Sequence, residues 1–282
     1  MPDKPTRADG YPPQQVARVK ATCLYLATKL GDLMPELVVV GGLVPSLLID
    51  QQNLPRNVTA YVGTMDLDLG LAFALVSEER YQEVAARLRN AKFKPDQNDE
   101  GKPTRQRWRI SDPPVTVDFL IEPETAGGKP GSLFPLTNDW AAIIAPGLHL
   151  AFQNNKMVTL SGQTIAGETV AGGREVRVCG AGAFLVLKSL AFRIRGENKD
   201  AYDLFYLLRN YGHGVSDVVA ELHPLLTDAS AVQAMEYLRD DFRDSDSIGP
   251  RRVAEFLFGQ PDAETQADAV GSVRQLLDAC KP

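Results

Sequence analysis

Apolar and polar positions along this chain follow two periods, and the change between them divides it. From Gln14 to Leu30, Val16, Val19, Cys23, Leu26, Ala27 and Leu30 recur at helical spacing, and Gly31 ends the run. Leu37 to Val40 is short, apolar and rich in β-branched residues, the pattern of a buried strand. Gly41-Gly42 follows. Leu43 to Asp50 then reads as a helix whose N-terminal amides face that glycine turn. Residues 51–63 read as a loop carrying Arg56, and the apolar run around Asp66-Leu67-Asp68-Leu69 predicts a second strand. Ser77 suits the cap of the next helix. Glu78 and Glu79 stand in its first turn, and Tyr81, Val84, Leu88 and Ala91 form its apolar stripe. Residues 95–103 are polar and read as a loop. Thr104 to Ile110 and Val115 to Ile121 flank the turn sequence Ser111-Asp112-Pro113-Pro114, which predicts a hairpin. If its turn is symmetric, Arg107 lies opposite Asp118, with Arg105 and Arg109 on the same face.

Residues 127–180 are Gly-rich and irregular, with short strand candidates at 148–152, 157–160 and 175–178. From Ala181 the pattern is helical. Phe184 to Arg195 stops at Gly196, Asp200 to Tyr211 stops at Gly212, and further helices fall near 216–226, 230–242, 250–258 and 262–279. The expected fold class is α+β, a small mixed sheet flanked by helices and followed by a helical C-terminal region. Three segments follow: a flexible arm at 1–13, an α/β domain at 14–180 and a helical domain at 181–282.

Composition narrows the function classes. The chain has 282 residues and no apolar run of the roughly 18 residues a membrane span needs. Its first residues lack the apolar core of a signal peptide, so the expected location is cytoplasmic, with no membrane partner. Cys23, Cys179 and Cys280 are far apart, with no CxxC, which argues against structural zinc and for a reducing compartment. A net charge of -6 argues against a generic nucleic-acid coat but leaves room for a local basic surface.

The candidate chemistry lies in three aspartates. Asp66 and Asp68 are one residue apart in a strand and share a face; Asp118 follows in another strand. Carboxylates set among leucines and valines call for a cation between them, whereas the plainer alternative is a solvated sheet face behind an ordinary glycine turn. Arg105, Arg107 and Arg109 suit either a phosphate-gripping strand or a solvated one, and Trp108 on the opposite face suits the core. Lys188 sits in an almost wholly apolar helix, where it either snorkels to the surface or shares a site face with Arg195. Asp200 and Asp203 near a helix start suit the helix dipole, more simply for Asp200 than for Asp203. His149, His213 and His223 are scattered and receive no role.

Glycine pair, helix, DxD and a later strand Asp together resemble the DNA polymerase β-like nucleotidyltransferase superfamily. Lys188-Ser189-Leu190-Ala191-Phe192-Arg193 with Lys199-Asp200-Ala201-Tyr202-Asp203-Leu204 resembles the second-half pattern of the AbiEii/AbiGii nucleotidyltransferase toxin family. The resemblance covers roughly residues 36–211. It implies Mg²⁺ on Asp66, Asp68 and Asp118, with Asp118 alternatively acting as general base. It also implies nucleoside triphosphate phosphates at Gly41, Gly42 and Ser46, Lys188 on the triphosphate, and Asp203 completing a cleft between the two parts. The family motif often carries Ser or Thr where this chain has Gly42, which leaves the phosphate contact to backbone amides or Ser46. Thr64 is an undecided contributor. The implied reaction transfers a nucleoside monophosphate to a hydroxyl such as a tRNA 3′ end, in a toxin held by an antitoxin protein. The alternatives are a protein or small-molecule acceptor, or a catalytically silent nucleotide-binding module.

Overall fold

Residues 5–55, 58–72, 78–122 and 128–281 are described by the computed structural model of the chain. Arg56, the Ser77 cap and the side chain of Glu78 lie outside the described residues. Two compact units divide the chain. One takes Pro13–Val44 and Gly63–Cys179; the other takes residues 5–12, Pro45–Val62 and residues 180–281. The division differs from the expected domains in two ways. Pro45–Val62 belongs with the C-terminal helices, and so does the described part of the expected arm, where Tyr11 is buried with its ring 5.7 Å from that of Phe256. The four prolines and the charges of this arm conceal the one aromatic that anchors it.

The first unit is built on a mixed sheet. Helix α1 (Pro13–Leu30) buries Val19, Cys23, Leu26, Ala27 and Leu30, as its spacing predicts. After a 3-10 turn the chain enters β1 (Leu37–Val40), buried at every residue. The anticipated helix from Leu43 to Asp50 is shorter: a 3-10 turn at Gly41–Leu43 and then α2 (Val44–Leu48). Pro45 withholds one amide, and Asp50 ends the segment by accepting from the Gln52 amide and the Asn53 side chain. Strands β2 (Asp66–Leu71), β3 (Lys94–Gln97), β4 (Pro103–Ile110) and β5 (Val115–Ile121) follow, with α3 (Glu78–Asn90) before β3. Then come β6 (Leu133–Pro135), β7 (Ala141–Ile144), α4 (His149–Gln153), β8 (Asn155–Gln163) and β9 (Thr169–Cys179). The main path runs β3-β4-β5-β2-β1-β9-β8, with β7 pairing β5 and β6.

Where pattern and structure differ, a local cause is visible. β3 overlaps a stretch expected to be loop because it is polar and contains Pro95, yet it pairs with β4 and, among the described residues, forms an edge strand where such a proline is tolerated. The strand expected at 148–152 is α4, because Glu122 accepts the amides of Gly147 and His149 and so opens a helix there. β8 and β9 form one long hairpin, whose register slips where Ala171-Gly172-Gly173 lie across from Ser161; this bulge hides it among glycines. Behind β5, Phe119 and Trp108 meet Trp140 edge-on at 5.0 and 6.4 Å, so Trp108 is core.

The second unit is helical: α5 (Ala181–Arg195), α6 (Asn198–Asn210), α7 (Val215–Leu222), α8 (Ala229–Asp241), α9 (Ile248–Phe258) and α10 (Ala263–Ala279). Asp228 and Asp262 cap α8 and α10 through side-chain oxygens. The fold is α+β, a mixed sheet with flanking helices and a C-terminal helical region. No helix among the described residues is long and apolar enough to cross a membrane.

Candidate metal centre

Alternation along two neighbouring strands assembles the site. In β2, Leu67, Leu69 and Leu71 face the core, which turns Asp66 and Asp68 to the other side. In β5, Val115, Val117, Phe119 and Ile121 are buried on one face and Asp118 projects from the other. The two strands are parallel, with Asp68 in register with Asp118. One carboxylate oxygen from each of Asp66, Asp68 and Asp118 lies within 4.8 Å of the others. Asp66 and Asp118 are buried, and Asp68 is partly exposed.

The glycine pair makes room for this cluster. Gly41 follows β1, whose Val40 is in register with Asp68. Its φ is +68°, and a Cβ on it would overlap the Asp68 carboxylate, lying 2.8 Å from Cγ. A Cβ on Gly42 would lie 2.7 Å from the Thr64 hydroxyl oxygen and 2.8 Å from its Cβ. Thr64 is buried and donates to an Asp66 carboxylate oxygen at 3.1 Å. It therefore belongs to the centre, and its signal in the sequence was only its place two residues before Asp66. Gly41 thus makes room for a carboxylate directly, and Gly42 for the threonine that holds one.

Arg107 supplies the cation. The hairpin register is the one its turn predicts, with Arg107 opposite Asp118. The guanidinium grips both Asp118 oxygens, one through Nε at 2.7 Å, and its Nη2 lies 3.7 Å from Asp66 Oδ2. The hydrogen bonds it donates to Asp118 and the charges of the aspartates raise its pKa above the ordinary arginine range, against the pull of burial. Its neighbours are engaged elsewhere: Arg105 donates to the Thr137 carbonyl, and Arg109 to Gln97, with Asp96 at 3.7 Å. The three arginines therefore divide between carboxylate pairing and local ties.

No model of a known protein family matches the chain, and no curated protein matches it either. The chemistry of the site must therefore be read from its own atoms. Three carboxylates offering closely spaced oxygens form a hard donor set that could hold a metal ion.

The remaining expected site residues lie in the helical unit. Ser46 is buried there. Lys188 is buried and ion-paired with Asp200 at 2.8 Å and Asp203 at 2.7 Å, so it does not snorkel. Burial pulls the Lys188 pKa down, but the two aspartates outweigh it and leave the pKa raised. Arg195 also holds Asp200. Asp203 accepts from Lys199 and from the Tyr61 hydroxyl, the latter at 2.6 Å. Lys199 in turn donates to that hydroxyl at 2.7 Å and stands over the rings of Tyr61 and Tyr202 at 4.5 and 5.5 Å. Pattern reading missed Tyr61, which lies in a segment taken for plain loop.

Proposed function

We propose that the chain is a Mg²⁺-dependent nucleotidyltransferase, moving a nucleoside monophosphate from a nucleoside triphosphate to a hydroxyl acceptor. The observation that carries this reading is the convergence of Asp66, Asp68 and Asp118 on two parallel strands beside a glycine turn held open for them. The three aspartates would hold the metal. When bound, Mg²⁺ supplies charge neutralisation of the triphosphate and activation of the attacking hydroxyl. The chain's own contribution is positional. Thr64 orients the Asp66 carboxylate, and the missing side chains at Gly41 and Gly42 leave room for Asp68 and Thr64. Placing phosphate oxygens at Gly41, Gly42 and Ser46 rests on the resemblance. Placing Lys188 and Asp203 at the triphosphate rests on the resemblance, as do a tRNA 3′ end as acceptor and an antitoxin partner; a cytoplasmic setting rests on the cysteine pattern and the polar first residues.

The test is label transfer. Protein, Mg²⁺ and each α-labelled nucleoside triphosphate are incubated with total tRNA, with the protein alone and with a panel of hydroxylated small molecules. Label that appears on one acceptor and vanishes in Asp66→Asn is the expected result. Transfer undiminished in that variant sinks the assignment, since a carboxylate holding the metal cannot be spared. A second reading has its own support: Arg107 already pairs with Asp118 and offsets one of the three carboxylate charges, as suits a silent nucleotide-binding module. Nucleotide binding without transfer to any acceptor favours that module.

A further inference from the structure

We propose that Arg107 is a built-in competitor for the metal, an internal cation that occupies the aspartate centre and must yield Asp118 when a divalent ion binds. The inference rests on the metal reading above and adds a residue that works against it. Asp118 is shared by two demands. Its carboxylate is one of the three that approach within 4.8 Å, and both its oxygens are gripped by the Arg107 guanidinium. The same guanidinium reaches toward Asp66 at 3.7 Å. Arg107 therefore stands across two of the three carboxylates, at the position from which its charge opposes an arriving cation most directly.

The register makes this arrangement obligatory. Arg107 is opposite Asp118 in the β4–β5 ladder, and Asp118 is in register with Asp68 in the β5–β2 ladder. Three adjacent strands thus set Arg107, Asp118 and Asp68 side by side on one face. The side chain of Arg107 is only 15% exposed, so water screens its charge weakly. A carboxylate already engaged at both oxygens must exchange partners before it can serve a metal fully. Binding a divalent ion then costs the Arg107–Asp118 pair, which lowers the apparent metal affinity.

Calorimetric titration of the intact chain with Mn²⁺ alone, without nucleotide, tests this. Wild type is compared with Arg107→Gln, Arg107→Lys, Asp66→Asn and Asp118→Asn, each checked for native circular dichroism. Removing the competitor should tighten Mn²⁺ binding in Arg107→Gln by on the order of tenfold, the equivalent of losing about one charge-assisted contact. Arg107→Lys, which keeps the charge without the two-pronged grip, should fall between and remains informative if the glutamine variant does not fold. Asp66→Asn and Asp118→Asn should weaken binding. Mn²⁺ affinity equal or weaker in both Arg107 variants, with the aspartate variants still weakened, overturns the competition and leaves the metal centre standing. Binding in none of the proteins overturns both.

Discussion

Gly41 stands so close to Asp68 that no side chain fits between them. Its φ of +68° already disfavours other residues, and an added Cβ would lie 2.8 Å from Asp68 Cγ and 2.9 Å from Asp68 Cβ. Gly41→Ala should therefore carry two penalties, backbone strain and displacement of the carboxylate. The strain alone is on the order of 1–3 kcal/mol. The expected outcome is a protein that still folds, with a lower melting temperature and weaker Mn²⁺ binding than wild type. An alanine variant equal to wild type in both would show that the glycine is not needed for the carboxylate's position.

Gly42 poses a different problem, because its constraint is a neighbour. A Cβ there would meet the Oγ and Cβ of Thr64, a β-branched side chain with little freedom to move aside. Gly42→Ser, which restores the residue the resembling motif often carries, should destabilise the chain by about 1–3 kcal/mol through overpacking. Thr64→Ala opens the space, so the double variant should recover most of that loss. Denaturant unfolding of the two single variants and the double variant measures the coupling. Additive losses would place the cause outside this pair.

This interlock explains what could be read beforehand. The strand pattern, the two glycines and the aspartates were legible because alternation and turn chemistry are local properties of the sequence. The Arg107–Asp118 register was legible too, since a four-residue turn that pairs symmetrically sets those two residues opposite each other. What escaped depended on distant partners. Tyr61 lies in loop, as its segment reads, but its role depends on Asp203, 142 residues later, which accepts its hydroxyl hydrogen. α4 reads as strand until Glu122 opens a helix from across the turn. Thr64 was legible only as an undecided contributor, because its place beside Asp66 depends on the room that Gly42 leaves.

Two aspartates expected at the site should behave oppositely when neutralised. Asp66 belongs to a crowd of carboxylates, so Asp66→Asn removes repulsion while Thr64 still finds an acceptor. Its melting temperature should stay within a few degrees of wild type while metal binding falls. Asp203 is wholly buried and holds Lys188, Lys199 and the Tyr61 hydroxyl. Asp203→Asn leaves two buried ammonium groups short of countercharge, a loss on the order of 3 kcal/mol or more. Thermal melts without metal separate the two. An Asp203→Asn variant as stable as wild type would remove the structural role argued for this network.

Lys199 sets the pH response of the same network. Burial is the largest influence on its pKa and drives it down to about 8; Asp203 only partly offsets this, and Lys188 pushes the same way as burial. In the unfolded chain an ordinary lysine holds its proton to about 10.4. Between these two values the unfolded state binds more protons than the folded one, so stability contributed by this group rises as pH rises. The full swing is on the order of 3 kcal/mol, complete near the upper value, where Lys188 begins to act in the opposite sense because its folded pKa is raised. Other lysines and tyrosines titrate in the same window, so the informative quantity is a difference. Urea unfolding from pH 7.5 to 10 should give a steeper rise, or a shallower fall, for wild type than for Lys199→Met. The methionine variant should be relatively most stable at the low end of that range, where wild type holds the buried charge. Parallel curves for the two proteins would mean that Lys199 keeps its proton throughout, with the Asp203 carboxylate outweighing burial.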